Sequence, residues 1–300
     1  MALAAARPAP QTLAYAGLAV STFGWAAAFI AGKFVLAEMT PLPAAAARYA
    51  TAATILLPFA LRRRRDDVAA VVGPLAVMVV CGGVLYPWLF LLALRHTSAT
   101  NTSLLIALNP VFTMLLAPLI GERLDRRRML GVLLALAGAA TVITAGQPAA
   151  AAELTRGAIN LGDVLAVAGA ATWALFNLAS RRVVAHLSPA LTNCVVYGIG
   201  SLALFGLGRA EHPWAQLQAV TPLAFGGLMT MAILSSVVAG QFFLVGVRTV
   251  GVGRTVVFVY FVPVVTALLS VTLLGEPFRL AQAAGGACVL AGVYWTTRAA

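Results

Sequence analysis

A proline set inside a long apolar run, and written twice in one chain, restricts what this sequence can become. The first copy is Asn109–Glu122, NPVFTMLLAPLIGE, and the second is Val262–Glu276, VPVVTALLSVTLLGE. Pro110, Val111, Thr113, Leu115 and Leu116 answer to Pro263, Val264, Thr266, Leu268 and Leu269. Both copies end on Gly-Glu, with one residue added in the second, so Glu122 answers to Glu276. A proline in a helix interior has no N–H to donate and clashes with the carbonyl four residues earlier, here that of Ile106 or Val259. In lipid, a carbonyl freed in this way must be satisfied by a neighbouring helix or a watered cavity. Matched, proline-broken helices in two halves of a chain point to a transporter built on internal repeats.

The solvent for such a chain follows from composition. At 61% hydrophobic and 10% charged residues, with mean hydropathy +0.95, the sequence departs from soluble domains, which carry about 25% charged residues. A net charge of +11 raises the question of nucleic acid. The charges, however, lie in short segments between apolar runs rather than on one face, so no nucleic-acid partner is expected. Cys81, Cys194 and Cys288 sit in separate apolar runs. Three scattered cysteines argue against a disulfide framework and against a zinc site, and no cofactor is expected.

Ten apolar runs are each long enough to cross a bilayer: Thr12–Leu36, Pro43–Leu61, Val68–Ala93, Thr97–Ile120, Met129–Ala145, Leu161–Val184, Ala190–Leu207, Ala219–Gly246, Gly251–Leu274 and Leu280–Thr297. The expected fold is therefore an all-α polytopic membrane protein of ten transmembrane helices. Residues 1–11 form a cytoplasmic tail, 12–147 a first five-helix repeat, 148–160 an outer linker, 161–297 a second repeat and 298–300 a C-terminal tail. Arg7 ahead of a long apolar run reads as an uncleaved signal anchor, with no soluble domain appended. With the N-terminus inside, fourteen of the twenty basic residues fall on the cytoplasmic side, among them Arg62–Arg65 and Arg126–Arg128. That asymmetry predicts N-in and C-in.

The duplication runs through the chain. Trp25, Lys33, Pro41 and Tyr49 match Trp173, Arg181, Pro189 and Tyr197, each 148 residues on. Arg95, Thr102 and Pro110 match Arg248, Thr255 and Pro263 at 153, and Gly131 and Gly138 match Gly285 and Gly292 at 154. Five spans per repeat is an odd number, so the second copy must enter the membrane from the opposite side. An inverted-topology repeat supplies two related conformations, open inward and open outward, and hence alternating access.

With these residues the sequence resembles the drug/metabolite transporter superfamily, specifically its EamA-type branch: ten spans, a Pro-then-Gly-Glu fourth helix in each half and a glycine-rich fifth. Within that branch it is similar to YddG-type exporters of aromatic and other hydrophobic amino acids. The resemblance implies a bacterial inner-membrane protein with a central cavity lined by the first, third, fourth, sixth, eighth and ninth helices. The fifth and tenth helices would then be peripheral.

Candidate substrate-binding residues follow from the inward faces. Trp173, Phe176, Asn177 and Ser180 share one helical face, and Trp25 heads the matched face of the first span. Tyr86 and Trp88 flank a proline kink at Pro87, while Asn101, Thr102, Asn109, Gln241 and Tyr260 supply polar groups in otherwise apolar runs. We therefore expect Trp25, Tyr86, Trp88, Asn101, Thr102, Trp173, Asn177, Gln241 and Tyr260 at the substrate, with Pro87, Pro110 and Pro263 as hinges. Aromatic faces with a few hydrogen-bonding groups suit a ligand that is apolar at one end and polar at the other. Against this, Tyr49, Trp214, Tyr294 and Trp295 lie near span ends and read as interfacial belt or packing residues. Intramembrane Ser and Thr commonly bond back to their own helix. The paired glycines read as close-packing surfaces.

All nine acidic residues lie at or beyond span ends, and His96, His186 and His212 lie in connections. Proton-coupled carriers keep such a group mid-membrane. Its absence favours facilitated transport, with proton antiport the alternative. Glu122 and Glu276 are expected to make helix-end and gating contacts. Arg48 and Lys33 either snorkel to the interface or pair with a substrate carboxylate. Without a buried nucleophile–base pair or metal cluster no enzyme is expected. The partners are a small molecule, foremost an amino acid, and the bilayer. Another small metabolite, drug or nucleotide sugar is the alternative cargo. A monomer is expected, with a dimer left open.

Overall fold

The computed structural model describes residues 11–62, 67–116, 126–145 and 160–298. Among these the chain is helical and no strand occurs. Six helices are long and apolar enough to cross a membrane: α1 (Gln11–Leu36), α2 (Pro41–Leu61), α3 (Ala69–His96), α7 (Leu161–His186), α8 (Pro189–Leu207) and α10 (Pro222–Val250). The expected fourth run appears as two short helices, α4 (Ala99–Ile106) and α5 (Asn109–Leu115), before passing out of the described residues. The remaining elements are α6 (Arg126–Ala145), α9 (Pro213–Ala219), α11 (Val252–Val259), α12 (Val262–Leu274) and α13 (Leu280–Arg298). Gly121, Glu122, Arg63–Arg65 and Asp66 lie outside the described residues, as do Arg123, Asp125, the first ten residues and the connection 146–159.

Local chemistry starts the helices. Ser98, Ser188 and Thr221 accept the first free amides of α4, α8 and α10 through their hydroxyls, from Asn101, Leu191 and Ala224. Prolines stand in the first turn of α2, α8, α9 and α10, where no N–H is needed. Around the bundle, Leu61, Leu202, Leu268 and Leu280 point outward and are exposed. An apolar coat of this kind suits hydrocarbon, and this is a multi-pass membrane protein.

The two proline breaks are stitched by side chains. At the first, Asn109 Nδ2 donates to the carbonyl of Ile106 at 3.2 Å, the group that Pro110 was expected to free. At the second, Thr22 Oγ1 reaches across from α1 to the carbonyl of Phe258 at 2.9 Å, one residue before the Val259 carbonyl that Pro263 was expected to free. Two long helices also widen locally, α3 over Val79–Leu85 and α10 over Thr230–Ala239. Such π turns cluster at functional sites because they turn carbonyls and side chains out of the regular ladder. Sequence periodicity gave no sign of them.

The interfaces come in matched sets. α2 packs along α8, and α6 along α13. The contact of α1 with α10 has its counterpart in α7 with α3, and that of α1 with α12 in α7 with α4 and α5. The α6–α13 seam is drawn tight by glycine. A methyl group on Gly285 would stand 2.8 Å from the carbonyl oxygen of Gly138, and one on Gly292 2.5 Å from that of Gly131. The crossed pairing of Gly138 with Gly285 and Gly131 with Gly292 makes these two helices antiparallel. Tyr49 and Tyr197, also matched by the duplication, stack on each other between α2 and α8, with ring centroids 4.4 Å apart.

Candidate functional site

Where α1, α3, α7 and α10 meet, aromatic rings are in mutual contact. Trp25 and Trp173, a matched pair, meet edge-to-face at 6.0 Å. Trp173 stacks on Phe176 at 4.5 Å and lies 4.6 Å from Tyr86, while Trp25 lies 5.2 Å from Phe243. These rings and Phe29 and Phe90 wall a narrow cavity of about 50 Å³, closed on other sides by Ser103, Asn109, Val262 and Pro263. Liquid water occupies about 30 Å³ per molecule, so the space holds a water or two. An amino acid enters only if the rings part.

One wall is polar. Arg48, in the second turn of α2, is 5% exposed and points into the bundle. Its Nε donates to Ser236 Oγ at 2.8 Å and its Nη2 to Ser235 Oγ at 3.1 Å, both on the widened stretch of α10. Its guanidinium also lies 5.3 Å from the ring centre of Tyr49 and 5.9 Å from that of Phe90. Tyr49 donates from its hydroxyl to the carbonyl of Gly82 at 3.1 Å, and Tyr197 does the same to Ser236 at 3.3 Å. Each tyrosine thus tethers the widened helix that follows it in the chain. Asn193 lines the cavity, buried, with no hydrogen-bond partner for Nδ2 among the described residues. On the opposite side Asn177 Nδ2 donates to Asn109 Oδ1 at 3.3 Å.

Of the residues expected at the substrate, Trp25, Tyr86 and Trp173 line this cavity, and Asn177 adjoins it through Asn109. The others lie elsewhere. Trp88 is half-buried off the lining, and Thr102 is fully enclosed and bonds back to the carbonyl of Ser98 at 2.8 Å. Gln241 donates to the carbonyl of Pro189 at 3.1 Å, tying α10 to the start of α8. Tyr260 is buried at the turn between α11 and α12. Of the expected hinges, Pro263 lines the cavity, Pro110 opens α5 and Pro87 is buried beside the widened turn of α3. Of the four aromatics read as belt or packing residues, Tyr49 is 2% exposed and packs centrally on Tyr197, whereas Trp214, Tyr294 and Trp295 are exposed. Phe90, Asn193, Tyr197 and Phe243 were missed as lining residues. The Tyr49–Tyr197 repeat was a signal that could have found two of the central residues.

Asn101 belongs to a second, polar space of about 340 Å³ at the end of the bundle that holds Glu276. There Lys33 Nζ donates to the carbonyl of Thr97 at 2.7 Å, and Thr97 Oγ1 to Asp163 Oδ1 at 2.8 Å. Gln282 Nε2 donates to Asn101 Oδ1 at 2.7 Å. The Glu276 carboxylate accepts the amide of Ala99 at 3.0 Å, at the positive start of α4, and a close hydrogen bond from the Ser270 hydroxyl. One carboxylate therefore ties the end of α12 to the start of α4. At the same end Glu38 accepts from the amide and hydroxyl of Thr221 at 2.7 and 2.6 Å, which holds its carboxyl below the usual glutamate range.

The model of the EamA-like transporter family matches this chain twice, over residues 12–144 and 160–298. The chain belongs to the EamA-like transporter family. Its relatives include the uncharacterized transporter YyaM of Bacillus subtilis, 28% identical, with 89% of this chain and 88% of the relative covered. A probable amino-acid metabolite efflux pump of Salmonella typhimurium is 25% identical over 90% of each chain. A probable terminal-alkyne amino-acid exporter of Streptantibioticus cattleyicolor is 26% identical over 68% of this chain and 65% of its own. A solved crystal structure superposes with a TM-score of 0.63 at 20% identity, covering 95% of this chain and 96% of that one, a likeness of fold. This EamA-type chain is thus a transporter by family, and its homologues are named as carriers, not as enzymes.

Proposed function

We propose that this EamA-type transporter exports aromatic and other hydrophobic amino acids across the bacterial cytoplasmic membrane, moving them down their own gradient. The observation that carries the reading is the ring of Trp25, Tyr86, Trp173, Phe176 and Phe243 around the central cavity. Flat apolar walls with a few polar groups favour a small molecule that is apolar at one end. Two relatives named for amino-acid efflux support that substrate class.

The matched interfaces support a mechanism of alternating access. Ten helices in two inverted halves would exchange roles about the central rings, so that the cavity opens first to one side and then to the other. The arginine distribution puts the Glu276 end outside, where Glu276, Lys33 and Asp163 form the closed gate, and both termini inside. The rings are in contact in this closed arrangement, and substrate wedges them apart when the other end opens. No aspartate, glutamate or histidine lines the cavity among the described residues, which supports a carrier without a proton relay.

Counterflow in proteoliposomes tests this directly. Vesicles loaded with unlabelled phenylalanine should accumulate labelled phenylalanine or methionine, at the same rate with and without an imposed pH gradient. Rates that track the gradient would establish antiport instead. Failure of every amino acid to exchange would refute the substrate class.

A further inference from the structure

Resting on that reading, the geometry around Arg48 points to a narrower one: Arg48 is the carboxylate anchor of the cavity, so the cargo is an apolar monocarboxylate whose carboxylate is obligatory and whose α-ammonium is dispensable.

A cation held among rings in the membrane interior is costly, and it is retained where something anionic visits it or a function requires it. No carboxylate contacts Arg48 among the described residues. A guanidinium carries five N–H donors in a planar fork. The edge formed by Nε and Nη2 is committed to Ser236 and Ser235, and Nη1 makes no hydrogen bond among the described residues. The remaining Nη1–Nη2 edge is the one a carboxylate engages with two parallel hydrogen bonds. Ser235 and Ser236 fix the fork, and Tyr49 and Phe90 flank it, so little side-chain freedom remains to be lost when a carboxylate docks.

The duplication argues that the arginine is not there for packing. Within each half Tyr49 bonds to Gly82 as Tyr197 bonds to Ser236, and between the halves α2 packs on α10 as α8 packs on α3. The residue before Tyr197 is Val196, and it meets glycine: a methyl group on Gly83 would stand 2.6 Å from the Val196 carbonyl oxygen. Of these two matched contacts between the halves, one is therefore made by valine on glycine and the other by arginine on two serines. The contact itself needs no charge. The charge gives the cavity one anion-binding pole and leaves the matched position uncharged.

An α-ammonium finds no charged counterpart among the described residues. The lining holds no acidic side chain among the described residues, and Arg48 adds a repelling charge. A substrate that keeps the carboxylate and ring but drops the amine should bind at least as well as the amino acid.

The test is competition against labelled phenylalanine counterflow into proteoliposomes holding the full chain. 3-Phenylpropionate should compete at or below the concentration needed for unlabelled phenylalanine. Phenethylamine and phenylalanine methyl ester should be weaker by about ten- to a hundredfold, the weight of a hydrogen bond to a charged group. The variant Arg48→Gln should erase that preference, and Arg48→Lys should retain only part of it. Equal competition by phenethylamine and 3-phenylpropionate would overturn the anchor while leaving the transport reading intact. If no amino acid exchanges at all, quenching of tryptophan fluorescence by the same compounds still decides. Binding of 3-phenylpropionate but not phenethylamine upholds the anchor, and the reverse, or neither, overturns it.

Discussion

Trp173 touches Trp25, Tyr86, Phe176 and Phe243, so its ring is both wall and keystone of the cavity. Removing a large buried aromatic costs about 3–5 kcal/mol, which makes Trp173→Ala ambiguous by itself. Trp173→Phe retains a flat apolar ring with less area. It should leave thermal unfolding within a few degrees of the parent and lower phenylalanine counterflow several-fold, while Trp214→Phe, exposed, should change neither. Equal thermal loss and equal transport loss in both variants would reduce Trp173 to packing. Trp25 and Trp173 were legible from sequence because the chain repeats them deep in corresponding spans. Arg48 was legible only as a choice between snorkelling and facing a substrate, since depth counted along a span does not say which way a side chain faces. The same counting left Tyr49 open between belt and packing, although its match at Tyr197 marked it as central.

Helix against helix, the sequence was most informative where spacing alone sets the contact. The seven-residue glycine pairs of α6 and α13 read as close-packing surfaces, and backbone meets backbone there. A methyl group at Gly292 would stand 2.4 Å from the amide nitrogen of Ala135, and no side-chain rotation relieves a clash with main chain. Gly292→Ala should therefore cost about 1–3 kcal/mol, the usual penalty for overpacking. The measurement is a lowered unfolding temperature in detergent. Gly226→Ala, with nothing within 4 Å of the added methyl, is the control and should be neutral or slightly stabilising. Two equally stable variants would mean that the seam relaxes by sliding. The widened turns of α3 and α10 were illegible for the converse reason: an extra residue per turn leaves composition unchanged and shows only in where carbonyls point.

For the molecule as a whole, an odd number of spans per repeat was enough to argue inversion from sequence, but it could not say which end is shut. The gate proposed on the Glu276 side depends on residues far apart in the chain. Lys33, Thr97, Asp163 and Glu276 come from α1, the α3–α4 connection, α7 and the turn after α12. Glu276 carries the tie, because its carboxylate alone joins the Ala99 amide to Ser270. Glu276→Ala would leave the start of α4 without its anion, and losing hydrogen bonds to a charged group shifts an equilibrium by about tenfold or more. Ser103, on the cavity wall and 2% exposed, reports that shift once replaced by cysteine in a background lacking Cys81, Cys194 and Cys288. In intact cells Ser103→Cys should react slowly with a membrane-impermeant maleimide, and Glu276→Ala should raise the rate by about that factor. Excess phenylalanine should then protect the thiol, because substrate and reagent compete for one space. An unchanged rate in the Glu276→Ala variant would mean that this end is closed by the packing of α1 against α12 and not by the carboxylate. A rise without protection would mean that the opening does not lead to the substrate.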